Sequence, residues 1–112
     1  RDPHNNGTYS IEKPVRKLDQ ALYFSRLTGD GKYTDKMKFS FGAEGNACVI
    51  VGCSESQVFS VMDYSTNYCN LRNLYCGKWQ GCAPVTKRFL IQEIQVDSSS
   101  GAGKDKRECL SR

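Results

Sequence analysis

The sequence predicts an α+β domain in which an amino-terminal helix packs on an antiparallel sheet of about five strands. Three observations predict it. Apolar residues recur at helical spacing from Ile11 to Leu22, the period switches to two after Gly31, and six cysteines lie in 112 residues. A chain of that length is one domain, residues 1–112, and a fold that small buries only about 60–68% of the surface its unfolded chain exposes. Covalent cross-links therefore matter to its stability.

The first ten residues, rich in Asn, Gly and Pro, predict a flexible arm over 1–10. Ser10 can then cap a helix. Ile11, Val15, Leu18 and Leu22 follow at spacings of four, three and four, and Pro14 falls in the first turn, where its missing N–H costs nothing. The pattern predicts a helix from Ile11 to Arg26, ended by Thr28-Gly29-Asp30-Gly31, although Leu22-Tyr23-Phe24 also suits a strand. Beyond Gly31, Met37, Phe39 and Phe41 alternate with Lys36, Lys38 and Ser40, the mark of a strand with one wet face. A turn over Gly42–Asn46, a strand over Ala47–Val51, a turn over Gly52–Ser56 and a strand over Gln57–Tyr64 continue the meander, and Phe89–Val96 makes a late strand. Between them, Tyr68–Pro84 carries three cysteines and the single tryptophan. Ser98–Lys106 reads as a loop that Cys109 ties down. Short turns favour antiparallel neighbours, and the periodicity suits both an open sheet on a helix and a small closed barrel.

Cys48, Cys53, Cys69, Cys76, Cys82 and Cys109 are expected to form three disulfides, which implies a secreted, extracellular protein. The intervals of four residues between Cys48 and Cys53, six between Cys69 and Cys76 and five between Cys76 and Cys82 lack the C-x2-C pairs of zinc sites, and the one histidine, His4, stands apart. No metal or cofactor is expected. Six cysteines allow 15 pairings, so connectivity stays open. The chain carries no apolar run long enough to insert in a membrane and reads as a mature sequence without a signal peptide. Asn6-Gly7-Thr8 is a glycosylation acceptor at Asn6, in keeping with export. A net charge of +4, with acids interleaved among the bases, predicts a mixed soluble surface and argues against nucleic acid as the partner.

Enzyme chemistry lacks parts. His4 is the only imidazole, no phosphate-binding loop is present, and Glu12, Asp19, Glu55, Asp63 and Glu93 form no paired-carboxylate pattern. Binding fits better. Tyr64, Tyr68, Arg72 and Tyr75 crowd one stretch, and Trp79 sits in Lys78-Trp79-Gln80-Gly81, which reads equally as a tight loop presenting an indole and as the site of a core tryptophan. Tyr, Arg and Trp offer broad contact area with a polar tip. The competing reading has Leu71, Leu74 and the tyrosines packed under the disulfides, with Asn67, Asn70 and Asn73 closing turns.

In overall character the Asp63–Cys76 stretch, Gly81-Cys82 and the late Cys109 resemble the small cysteine-rich excretory–secretory proteins of parasitic nematodes. Some of those resemble the netrin-like, OB-like barrel of tissue inhibitors of metalloproteinases. The resemblance implies a secreted, immunomodulatory protein acting on a host protein or protease. Metalloproteinase inhibitors of that fold chelate zinc through an amino-terminal cysteine, and with Arg1-Asp2-Pro3 as the start that activity does not carry over. In its order the chain also resembles cystatins. Gly7 stands for the early glycine, Cys48-Val49-Ile50-Val51-Gly52 for the hairpin and Trp79 for the late loop, while the hairpin glutamine is absent and Lys78 replaces the proline before the tryptophan. A lipocalin calyx needs roughly eight strands, more than this chain offers. The expectation is a monomeric, secreted, non-enzymatic binding protein directed at an extracellular protein, with protease inhibition and carriage of a small apolar ligand as the alternatives.

Overall fold

The alternation that begins after Gly31 builds the centre of the molecule. The structure, a computed structural model, describes residues 4, 6–13, 21–57, 65–80, 91–99 and 102–110. Four strands, β1 (Thr8–Glu12), β2 (Ala21–Leu27), β3 (Thr34–Glu44) and β4 (Ala47–Ser56), form one open antiparallel sheet in the order β1-β2-β3-β4. One helix, α1 (Thr66–Tyr75), packs on the sheet, and two short 3-10 turns follow at Lys78–Gln80 and Glu108–Leu110. The class is α+β as expected, but the sheet has four strands among the described residues and is not closed into a barrel.

On β3, Asp35, Met37 and Phe39 are buried while Lys36 and Lys38 are exposed, so the period of two assigns the faces correctly. Phe24 of β2 packs edge-on against Phe39 with centroids 5.9 Å apart. On the other face Lys38 Nζ lies 5.6 Å from the centre of its cross-strand neighbour Tyr23. The β3–β4 turn places Gly45 at the first of its two central positions with φ 60°, the left-handed backbone that a type II′ hairpin turn requires there. The turn between β2 and β3 is tied by side chains. Thr28 donates to Asp30 Oδ1 at 2.6 Å, and Lys32 N–H donates to the same oxygen at 3.0 Å.

The expected helix over Ile11–Arg26 is overturned. Ile11 and Glu12 belong to β1 and Ala21–Arg26 to β2, while Val15 and Leu18 lie outside the described residues. The strand alternative for the β-prone run Leu22-Tyr23-Phe24 is the one realised, since it pairs in register with Glu12 and Ile11 on one side and with Met37, Lys38 and Phe39 on the other. The amino-terminal stretch also departs from a flexible arm, since Thr8–Ser10 are strand and His4 and Gly7 are buried. Gly52–Ser56 is no turn. It continues β4, with Gly52 opposite Phe39, where a Cβ would come within 3.0 Å of Phe39 and 3.3 Å of Leu71 of α1. The expected Gln57–Tyr64 strand lies beyond Gln57 outside the described residues, and residues 91–96 run without strand pairing among those described.

The expectation of three disulfides is also corrected. Cys69 on α1 bonds Cys109, 40 residues away, and Cys76 is disulfide-bonded as well, whereas Cys48 and Cys53 are free and exposed on β4. A separation of five residues along a strand points their side chains to opposite faces about 17 Å apart, far beyond the Cα separation a disulfide tolerates. Cys82 lies outside the described residues. Alkylation of the native protein followed by mass mapping is expected to label Cys48 and Cys53 and to spare Cys69, Cys76 and Cys109. Protection of Cys48 and Cys53 from the reagent contradicts this fold.

Gly7 has a further role. A Cβ there would collide with the guanidinium of Arg26, which is fully buried, donates to the His4 carbonyl and lies 5.5 Å from the centre of the Tyr9 ring. Gly7→Ala is expected to lower the unfolding free energy by about 1–3 kcal/mol, read from urea denaturation. An unchanged midpoint refutes the contact.

Candidate functional site

Residues 66–75 carry no apolar stripe, yet they form α1, because each face of the helix finds polar partners. Ser65 precedes it in a left-handed conformation, φ 62°, and its hydroxyl does not cap the helix. Instead it accepts the Asp105 N–H at 3.0 Å. The C-terminal end closes through the Cys76 N–H, which donates to the Arg72 carbonyl at 2.8 Å.

One face of α1 docks on the sheet. Asn67 accepts from Ser54 Oγ at 2.6 Å and donates to Ser56 Oγ at 3.0 Å. Asn70, one turn on, donates to Asp35 Oδ2 at 2.7 Å and to Ser54 Oγ at 3.2 Å, and its carbonyl accepts from Tyr9 OH at 3.0 Å. Asn73 donates to the Cys109 carbonyl at 3.0 Å. These asparagines, expected to close turns, are interior helix residues. His4 joins the start of α1 to the carboxyl end. Its Nδ1 meets the Glu108 carbonyl at 2.6 Å, which only a protonated nitrogen can do, and its Nε2 lies 3.1 Å from Thr66 Oγ1.

The face that carries Tyr68, Arg72 and Tyr75 is the candidate site. Their spacing of four and three places them along one side of the helix, and all three converge on Glu93. Oε1 of Glu93 accepts from Tyr68 OH at 2.9 Å, Arg72 Nη1 at 2.7 Å and Tyr75 OH at 2.6 Å, and Lys106 Nζ stands 4.0 Å from Oε2. Tyr68 also packs on the Cys69–Cys109 disulfide with Val96.

The electrostatics follow from that geometry. Burial pushes the Tyr68 phenol up to about 12, reinforced by the bond to Glu93, and the same causes raise Tyr75. Burial by itself raises the Glu93 carboxyl, but hydrogen bonds from Tyr75, Tyr68 and Arg72 outweigh it and hold the group below its ordinary value. Near neutral pH the result is an ionised carboxylate surrounded by protonated donors. Such a cluster latches residues 91–99 onto α1.

Of the residues expected to meet a partner, the structure thus brings Tyr68, Arg72 and Tyr75 together and turns Tyr68 and Arg72 inward. Tyr64 lies outside the described residues. Trp79 goes the other way. It follows the disulfide-bonded Cys76 on the Lys78–Gln80 turn, and it is 80% exposed. That turn is held by Gln80 N–H to the Gly77 carbonyl at 2.9 Å and by Gly77 N–H to Gln80 Oε1 at 3.1 Å. Asn6 is exposed, with φ 54°. Among the described residues no three of His, Cys, Asp and Glu converge as metal ligands, and no helix is long and apolar enough to cross a membrane.

No protein-family model, curated protein or solved structure matches this chain. The site must therefore be read from its own geometry.

Glu93 and Asn70, the two hubs, escaped the sequence reading. A single carboxylate and a single carboxamide carry no motif. The cross-strand pair Arg26 and Asp35 did leave a signal, being opposite charges placed symmetrically about the Thr28–Tyr33 turn.

The latch has a pH signature. The stability that Glu93 contributes is present above its ordinary value of 4.5 and is lost as pH falls through the lowered folded value. For the phenols the sign reverses. Their contribution is full below the ordinary value of 10 and is lost as pH rises through about 12 for Tyr68. Glu93→Gln is expected to cost about 1.5–3 kcal/mol near neutrality and to flatten the acid limb of the stability curve. In the wild type, Tyr68 and Tyr75 should ionise late in a phenolate absorbance titration. If all six tyrosines ionise together near their ordinary value, the latch is absent.

Proposed function

We propose that this chain is a secreted, non-enzymatic binding protein whose contact with an extracellular protein is anchored by Trp79. The exposure of Trp79 carries the reading. A tryptophan left four-fifths in solvent forfeits the largest apolar gain any side chain offers, and aromatic anchors of this kind dominate the energetics of protein–protein contacts. The turn that presents it is short, internally hydrogen-bonded and adjacent to a disulfide-bonded residue. Little conformational entropy is then left to lose on binding. The Cys69–Cys109 disulfide, which has essentially no solvent exposure at either sulfur-bearing residue, supports an oxidising compartment. The saturated environment of Glu93 supports a structural role for the acidic residue nearest the tyrosines.

Because Trp79 is the single tryptophan, its fluorescence reports on the site directly. Iodide is expected to quench the free protein readily and to lose access when the partner, captured from extracellular fluid, is bound. Trp79→Ala is expected to weaken that binding at least about thirtyfold while shifting stability by less than about 0.5 kcal/mol. Unchanged affinity of the alanine variant rules out the anchor.

A further inference from the structure

We propose that β4 is the interface of a homodimer, pairing antiparallel with β4 of a second copy about a two-fold axis at Ile50. This rests on the sheet geometry and is independent of the role of Trp79. Antiparallel ladders alternate between hydrogen-bonded and non-bonded pairs. The Gln57 N–H donates to the Thr34 carbonyl at 3.0 Å, so the pairs Glu55–Lys36, Cys53–Lys38, Val51–Ser40 and Val49–Gly42 are the bonded ones. The intervening residues Cys48, Ile50 and Gly52 therefore turn their N–H and C=O groups outward, along a sheet edge that meets no further strand among the described residues.

Edge strands in soluble proteins are ordinarily blunted by lysine, proline or a bulge. From Ala47 to Ser54 β4 has neither lysine nor proline, nor any other charge, and its register with β3 runs unbroken from Ala47 to Ser56. Ile50 and Val51 are half exposed, and on the helix-facing side Phe41 and Leu22 extend the same apolar strip away from Ile50.

Charge selects both the occupant and the register. With the axis at Ile50, Ala47 of one copy faces Cys53 of the other. On the face opposite α1 this aligns Glu44, Ala47, the second copy's Cys53 and its Lys38 in one row. The acid and the base share that row with only two small side chains between them, and the two-fold axis repeats the pair. Moving the axis to Val51 instead sets Glu55 and Glu44 of opposite copies in one row with only Ala47 between them, which like-charge repulsion disfavours. The strand is thus complementary to itself.

The test uses the full chain with Cys48→Ser and Cys53→Ser, so that oxidative cross-linking of the exposed thiols cannot mimic association. Sedimentation velocity up to about 100 µM is expected to show a dimer, and Ile50→Lys to weaken it at least about tenfold. Lys38→Glu alone is expected to weaken it about fivefold, and Lys38→Glu with Glu44→Lys to restore it. A chain that stays monomeric throughout this range overturns the proposal and leaves the edge to a strand of a different protein. Dimerisation unaffected by Ile50→Lys, or weakening that the double reversal fails to rescue, overturns it equally.

Discussion

The buried side chain of Asn70 is the contact on which the rest of the molecule depends. Its amide donates to Asp35 of β3 and Ser54 of β4, and its backbone carbonyl accepts from Tyr9 of β1. Tyr9 in turn lies beside the Arg26 guanidinium of β2. One helix residue therefore reads the positions of all four strands. A buried polar group without partners costs more than its hydrogen bonds return, so this arrangement tolerates no slip of α1 along the sheet. Polar burial of this kind specifies a single docking geometry where a smooth apolar face would accept several.

The specification matters because, among the described residues, more polar than hydrophobic side chains are buried. Among the described residues only Met37, Phe39, Tyr68 and three cysteines are buried hydrophobics. Cross-linking makes up part of the difference. A bridge over a separation of 40 residues restricts the unfolded chain enough to contribute about 4 kcal/mol on the chain-entropy account. The bridge and the Glu93 latch act on adjacent flanks of the same element, where Tyr68 packs on the disulfide. Cys69 ties α1 to the carboxyl end, while Tyr68, Arg72 and Tyr75 tie it to residues 91–99. Helix α1 is the piece against which the sheet, Glu93 and Cys109 are fastened, and Trp79 lies on the turn just beyond it.

How far the residues foretold this depends on which force governs each element. Met37 and Phe39 alternate with Lys36 and Lys38 because one face is dry and the other wet, and that contrast is written locally. The crowding of Tyr68, Arg72 and Tyr75 was legible as composition, whereas the exposure of Trp79 was not. Nor was helix α1. Asn67, Asn70 and Asn73 favour turns in isolation and are helical here because the sheet and the Cys109 carbonyl supply acceptors and donors at helical intervals. The strand β2 was legible only as an alternative, for the converse reason. Its apolar residues happened to continue a helical spacing, and only pairing on both sides revealed the period that counts.

By itself the sequence determined the α+β class, the alternation of β3 and the anchoring of the carboxyl end by Cys109, all of which rest on neighbours close along the chain or on composition. Tertiary structure decided the rest. It left Cys48 and Cys53 as thiols on opposite faces of β4, turned Tyr68 and Arg72 from a surface into an ion-pair latch, and made Asn70 and Glu93 hubs. Those outcomes depend on groups tens of residues apart meeting within hydrogen-bond distance, and no local pattern encodes that coincidence.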